Sequence, residues 1–289
     1  MSTNELFQRL GSMRTCNGRR AVMLTANCNG YRVDAASSSR GALFECPKCG
    51  RQVTLKKGQI KIAHFAHKPP TDCTWASGET QAHMQAKTVL RDSFRALGFG
   101  ADYEVEVLSI GGDRRADVLV TSPDGSARWA MEVQHTPILF DAIEKRTNAY
   151  CAARIPVLWM GLLSRKMKED AQSVPNGLTI RQYTIRPWEK WAQALAFKEL
   201  WYVDPEDKVL WRGSFTDHLI HVESTSWYSE GGEEQSAGGY SRKSKRWRTL
   251  NLQGPFRVDQ LSLGSKWRKA WSSKVFSLPA GVIALLTVR

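Results

Sequence analysis

The sequence is short of several things, and each shortage narrows what it can be. It has no run of about 18 apolar residues, so no membrane-spanning helix is expected. Residues 1–15, MSTNELFQRLGSMRT, lack the apolar stretch of a secretory leader, and a cytoplasmic protein is expected. Cysteine is scarce, six in 289 residues, which excludes a disulfide-built scaffold. In a reducing compartment clustered thiols are expected to hold metal rather than pair. No segment repeats, so a solenoid is not expected. Acidic residues are outnumbered, 28 Asp and Glu against 41 Lys and Arg, for a net charge of +13.

What is present is ordinary for a globular protein, 42% hydrophobic and 24% charged, with length for one large or two small domains. The charge is unevenly spread. Residues 1–75 hold 12 Lys and Arg against 4 Asp and Glu, residues 76–225 hold 18 against 20, and residues 226–289 hold 11 against 4. Two basic flanks around a slightly acidic middle suit a polyanion, above all nucleic acid, because each neutralised phosphate releases counterions.

Three of the six cysteines stand close to two histidines, in ECPKCG (45–50) and HFAHKPPTDC (64–73). Cys46-x-x-Cys49, framed by Pro47 and Gly50, is a turn that aims two thiolates at one ion. His64, His67 and Cys73 offer three further ligands, more than tetrahedral zinc needs. The preferred set is Cys46, Cys49, His67 and Cys73, with His64 as competitor, and four protein ligands leave no open position, so the site would be structural. Cys16, Cys28 and Cys151 have no partner at ligand spacing and read as core or surface residues. His218 and His221 have the spacing of a metal pair without a third ligand and are not expected to form a site.

Residues 19–35 and 42–66 read as short strands, and 78–97 as a helix with Met84, Val89, Leu90, Phe94 and Leu97 on one side, ended by Gly98 and Gly100. A strand over 103–110, a hairpin over 116–134 turning at Pro123-Asp124-Gly125, a helix over 138–153 and a buried strand over 155–163 make the middle α/β. Residues 226–244, rich in Ser, Gly and charge, read as a flexible linker. Beyond it Trp247, Trp267 and Trp271 lie among Lys and Arg, an arrangement that could stack bases beside phosphate-holding cations, but the preferred expectation is that they form the core of a small appendage. The expected organisation is a β-rich zinc module (1–75), an α/β core (76–225), and the linker with its basic appendage (226–289).

In the hairpin the residue opposite Asp117 is Met131 or Glu132, and Gln134 shares the face of Glu132. Two carboxylates facing each other about 5 Å apart repel unless a cation lies between them. Glu79, His83 and Lys87 recur every four residues and stay within roughly 80° of arc on one helix face. Such oxygen ligands suit Mg²⁺ or Mn²⁺, which clamp a phosphate and acidify an attacking water.

The segments FECPKCGRQV and HFAHKP, then GETQAHMQAK, RRADV, MEVQHT, Arg146-x-x-x-Tyr150 and VLW follow in this order over about residues 40–225. In this they resemble the competence protein CoiA family, nucleases of the PD-(D/E)xK superfamily with an N-terminal zinc-binding module. The resemblance implies a restriction-endonuclease-like core, a mixed central sheet flanked by helices, acting on DNA. It implies that Asp117 and Glu132 hold magnesium or manganese, that Glu79 is the helix acid, and that Gln134, a residue usual in this family, stands where many members of the superfamily carry the catalytic lysine. A neutral amide can orient water but not offset charge, so Lys87 is the candidate cation. Arg114, Arg115 and Arg146 are candidates to hold DNA phosphates, while Arg146 and Tyr150, one helical turn apart, equally suit a structural brace. The expected function is metal-dependent hydrolysis of DNA phosphodiesters in uptake, recombination or defence, and the alternative is a DNA-binding factor without turnover.

Overall fold

The computed structural model describes residues 22–69, Cys73 and residues 79–289, and the chain divides into two compact units, Met1–Gln81 and Ala82–Arg289. Cys16 and the first residues of the strand expected over 19–35 lie outside the described residues.

The first unit is a six-stranded antiparallel sheet of β1 (Val22–Met23), β2 (Thr25–Cys28), β3 (Tyr31–Asp34), β4 (Phe44–Glu45), β5 (Gln52–Lys56) and β6 (His64–His67), in the order β1-β6-β5-β4-β2-β3. Asn29 and Gly30 turn β2 into β3 with φ of 51° and 80°, the pair of positive angles that a two-residue hairpin demands and Asn-Gly supplies. Val53 and Leu55 alternate inward from β5 to meet Phe44 and Phe65, whose rings lie 4.8 Å apart.

The second unit begins with α1 (Gln81–Ala96), which buries Met84, Val89, Leu90 and Phe94 along one stripe and stops where Gly98 takes φ +82°. Each such side chain contributes about 1.5–3 kcal/mol when fully buried. β7 (Gly100–Val107), β8 (Arg114–Thr121) and β9 (Arg128–Gln134) follow as an antiparallel meander, and the β8–β9 turn is tied by the Asp124 carboxylate, which accepts from Ser122 Oγ and from the Ser126 amide. α2 (Phe140–Ala152) crosses to β10 (Val157–Leu162), which runs parallel to β9. That strand is apolar and buried nearly throughout, as a parallel strand covered on both faces must be.

After α3 (Arg165–Glu169), β11 (Gln172–Val174), β12 (Gly177–Tyr183) and α4 (Pro187–Leu195), β13 (Leu200–Asp204) pairs parallel with β10. A long hairpin of β14 (Val209–Val222) and β17 (Tyr240–Phe256) carries β15 (Thr225–Tyr228) and β16 (Glu234–Ala237) at its end. The nine-stranded mixed sheet runs β11-β12-β17-β14-β13-β10-β9-β8-β7. β18 (Leu261–Arg268) pairs β21 (Gly281–Val288), and β19 (Trp271–Ser272) pairs β20 (Ser277–Leu278). Among the described residues no helix is long and apolar enough to cross a membrane.

Two expectations are corrected. The Ser- and Gly-rich stretch 226–244 is not a flexible linker but the far part of the hairpin, because backbone pairing stabilises a ribbon whose side chains stay in water. Nor is the segment after it a separate appendage: β17 is an inner strand of the large sheet, and Phe276, Leu278 and Ile283 join the main core. Its tryptophans are not that core, since Trp247 is half-buried while Trp267 and Trp271 are exposed.

Candidate functional site

The thiol cluster grows from a knuckle at the end of β4. The Gly50 amide donates to the Cys46 carbonyl (2.9 Å) and the Cys46 amide to that of Arg51 (2.8 Å), a turn closed by Gly50 at φ +68°. His67 ends β6 opposite Val53. Cys46, Cys49, His67 and Cys73 each bring a ligand atom within 4.8 Å of the others. Cys46 Sγ lies 3.8 Å from Cys73 Sγ, and Cys49 Sγ 3.4 Å from His67 Nε2. Thiolates about 2.3 Å and an imidazole nitrogen about 2.0–2.1 Å from a tetrahedral centre stand about 3.8 and 3.5 Å apart, so these four residues fit such an ion. Burial pushes the Cys46 thiol up to about 11. At Cys49 slight burial is outweighed by hydrogen bonds from Arg51 and His67, which bring it to about 6. His64 is outside the group, its Nδ1 2.8 Å from the Ile62 carbonyl.

The carboxylate site is assembled across three strands. The register Tyr103↔Val118 and Val105↔Ala116 sets Glu104 opposite Asp117. On the other side of β8, Val118↔Met131 places Glu132 one step further along, so it is Glu132 and not Met131 that faces Asp117. Three carboxylates thus stand abreast on β7, β8 and β9, all buried.

Cations and donors from α1 and α2 make this row tolerable. Lys87, fully buried, donates to Glu104 Oε1 (3.0 Å) and lies 4.0 Å from Asp117 Oδ1. His83 Nε2 is 3.1 Å from Asp117 Oδ2, which also accepts the Val133 amide at 2.9 Å. Burial alone would raise the Asp117 carboxyl, but His83 and then Lys87 hold it well below the usual carboxylate range. Glu132 goes the other way. Burial, joined by the Asp117 charge, lifts it to about 7 against the opposing pull of Arg146 and Tyr150. Those two α2 side chains grip Glu132 one oxygen each, Arg146 at Oε2 and Tyr150 at Oε1. The Arg146 guanidinium lies 5.0 Å over the Trp159 ring, whose Nε1 donates to Thr147 Oγ1 (2.9 Å).

Glu79 stands just before α1, one turn ahead of His83, and Glu79, His83 and Asp117 form a second group whose ligand atoms lie within 4.8 Å of one another. Gln134, at the end of β9, donates from Nε2 to the Thr136 carbonyl (2.6 Å) and to Thr136 Oγ1 (3.3 Å). Of the basic candidates, Arg114 donates to the carbonyls of Asp113 (2.9 Å) and Lys145 (3.5 Å), and Arg115 lies opposite Glu106.

Sequence reasoning set His83 on the helix face of Glu79 and Lys87 without naming it a ligand, and it missed Glu104 and His135, whose ring lies 4.4 Å from that of His83. His83 had a signal, its place midway between Glu79 and Lys87. Glu104 had none, since the alternation in YEVEV marks it as a solvent-facing position.

The comparisons with known proteins agree with this division of the chain. Residues 29–76 match the family model of the competence protein CoiA N-terminal domain, and residues 79–230 that of the CoiA nuclease-like domain. Competence protein CoiA of Bacillus subtilis (strain 168) is 27% identical over 187 residues, 64% of this chain and 46% of that protein. The chain therefore spans about half the length of that curated relative. No solved structure matches.

Proposed function

The chain belongs to the competence protein CoiA family, and from that membership we propose that it is a metal-dependent deoxyribonuclease with a restriction-endonuclease-like core, serving DNA uptake. The observation that carries this reading is the buried pair Asp117 and Glu132, side by side on adjacent strands yet held in opposite electrostatic environments. Here Asp117 is kept ionised, with Glu79 and His83 beside it, as a metal ligand must be.

A bound magnesium or manganese ion would supply positive charge at the scissile phosphate and acidify a water. Asp117 and Glu132 would hold it, with Glu79 and His83 completing the set, and the imidazole favours manganese over magnesium. Gln134 has its amide nitrogen committed to Thr136, so its carbonyl oxygen is the atom left to accept from a water. Lys87 is buried between Glu104 and Asp117, and its part is to order those carboxylates rather than to reach a phosphate. Arg146 and Tyr150 orient Glu132, and the Arg146 side chain, one-third exposed, would remain within reach of an anionic substrate. Cys46, Cys49, His67 and Cys73 would hold a structural zinc, with no open position for catalysis.

The test is cleavage of labelled single- and double-stranded DNA with Mg²⁺, Mn²⁺ or no added ion. Asp117→Ala and Glu132→Ala should each lower cutting by at least about 10³-fold with DNA binding retained. Undiminished cutting by both variants would refute the assignment. A DNA-binding factor without turnover is the second reading, favoured by Gln134 and by the enclosure of Lys87, which leave no lysine at the phosphate. Binding with no cutting under either ion would establish it.

A further inference from the structure

The β14–β17 hairpin changes character along its length. β13 flanks β14 only as far as Gly213, and β12 flanks β17 only between Arg248 and Gln253. Ser214–Asp217 still pair with Arg248–Asn251, but beyond the bulge Leu219–Val222 and Tyr240–Lys243 pair with each other alone. The side chains follow suit: Leu210, Trp211, Leu250 and Leu252 are buried, whereas most of the ribbon is exposed, including Leu219 and Tyr240. A two-stranded ribbon without its own core is only marginally stable in water. Its length is therefore not explained by packing.

Charge is sorted along this ribbon. Arg242, Lys243, Lys245, Arg246 and Arg248 fall within seven residues of β17, and the only acid in the paired stem is Asp217, which engages Lys243 at 2.6 Å and Arg248 at 3.9 Å. Glu223, Glu230, Glu233 and Glu234 lie at or beyond the stem's end, where residues 223–241 contain no Lys or Arg. The stem also carries a wide bulge. Between the pairs Asp217↔Arg248 and Leu219↔Lys243, one residue of β14, His218, stands against Ser244–Trp247 of β17. Buried Ser244 holds the bulge, its Oγ accepting the amides of Arg246 (3.3 Å) and Trp247 (2.9 Å). The extra residues push Lys245 and Arg246 into solvent, while Trp247 packs its ring against His218 (6.0 Å) and beneath Arg246 (5.6 Å). Bulges of this kind re-aim side chains, and this one aims cations outward.

We propose that the stem of this ribbon, residues 214–222 with 240–248, is a docking surface for the phosphate backbone of double-stranded DNA. The claim rests on the deoxyribonuclease reading above and extends it to an element half of which lies beyond the matched nuclease-like domain, which ends at residue 230. The major groove, about 12 Å wide, admits a two-stranded ribbon whose strands lie about 4.8 Å apart. Single strands are held by rows of open aromatic faces, and the stem offers few, since Trp247 is covered by His218 and Arg246. The acids beyond the stem limit the contact to the stem itself.

The experiment measures duplex binding by fluorescence anisotropy across a salt series, in a Glu132→Gln background so that cutting cannot interfere. Replacing Arg242, Lys245 and Arg246 together by Ala removes three exposed cations, none of them ion-paired with Asp217. Duplex affinity should fall about tenfold or more near physiological salt, and the slope of log affinity against log salt should lessen by about 2.7. The charge-keeping set Arg242→Lys, Lys245→Arg and Arg246→Lys should bind like the parent, and Glu230→Gln/Glu233→Gln/Glu234→Gln should bind duplex no more weakly than the parent. An unchanged slope in the Ala variant overturns the proposal while leaving the deoxyribonuclease reading intact. A loss confined to single-stranded DNA overturns the choice of duplex. If the parent itself binds no DNA, the deoxyribonuclease reading fails along with it.

Discussion

The thiol cluster and the carboxylate row solve the same problem, gathering charged ligands in a buried place, by opposite means. The cluster takes its four ligands from Cys46 to Cys73, a stretch short enough for one knuckle and one sheet to arrange. The row takes Glu104, Asp117 and Glu132 from three successive strands and balances them with Lys87, His83, Arg146 and Tyr150 from two helices. In the first, on the zinc reading proposed above, the ion would supply the counter-charge; in the second the fold itself supplies it. That difference leads to different responses when one residue is removed.

The largest effect is expected at the cluster. Structural zinc contributes roughly 10–16 kcal/mol to folding in small modules, so Cys46→Ser should lose one equivalent of zinc by elemental analysis and unfold the first unit. His64→Ala, outside the cluster, should keep its zinc, and equal losses in both variants would erase the distinction drawn between the two histidines. Next comes Lys87→Met. It leaves Glu104 and Asp117 buried without their ammonium and should cost about 3–5 kcal/mol in urea unfolding, because the loss of one partner strands a charge. Adding Glu104→Gln should recover part of that loss, and strict additivity of the two would show that they do not interact.

A smaller, pH-dependent effect tests whether buried carboxylates away from both sites obey the same physics. Glu189 is fully buried, accepting from Tyr183 (2.6 Å), Tyr202 (3.2 Å) and the Arg186 amide (2.8 Å), and burial raises its carboxyl above the usual range. Its folded state binds the proton more tightly than its unfolded state. Its contribution is therefore full below the unfolded value of 4.5 and is lost as pH rises toward the raised folded value. Glu189→Gln should flatten that part of the stability–pH profile measured by thermal melting. The smallest effect returns to the knuckle: Gly50→Ala forces a side chain into φ +68° and should cost about 1 kcal/mol, read as weaker zinc retention in a chelator competition.

Legibility in the sequence follows the same division. The Cys46-x-x-Cys49 turn and its neighbours stood out because the ligands are close along the chain. The hairpin of Asp117 and Glu132 stood out because a turn at Pro123-Asp124-Gly125 leaves few registers. Glu104 was hidden, since its neighbours on the same face, Asp102 and Glu106, are exposed as the alternation suggests, and Glu104 alone is buried, at φ +52°. The segment 226–244 was misread because Ser, Gly and charge describe a linker and an exposed ribbon equally well; what separates them is backbone pairing with residues far along the chain.

The sequence by itself determined the local pieces: the Asn-Gly and Asp-Gly turns, the apolar stripe of α1, the thiol knuckle and the apolar β10. Each depends on residues within about one element's length, where steric preference and hydrophobic period act directly. Only the tertiary structure decided that three carboxylates stand abreast, that Lys87 lies between two of them, that Arg146 and Tyr150 brace Glu132, and that the final segment enters the main sheet. Those are long-range pairings, set by strand register and by the need to give each buried charge a partner, and neither is written in the spacing of neighbouring residues.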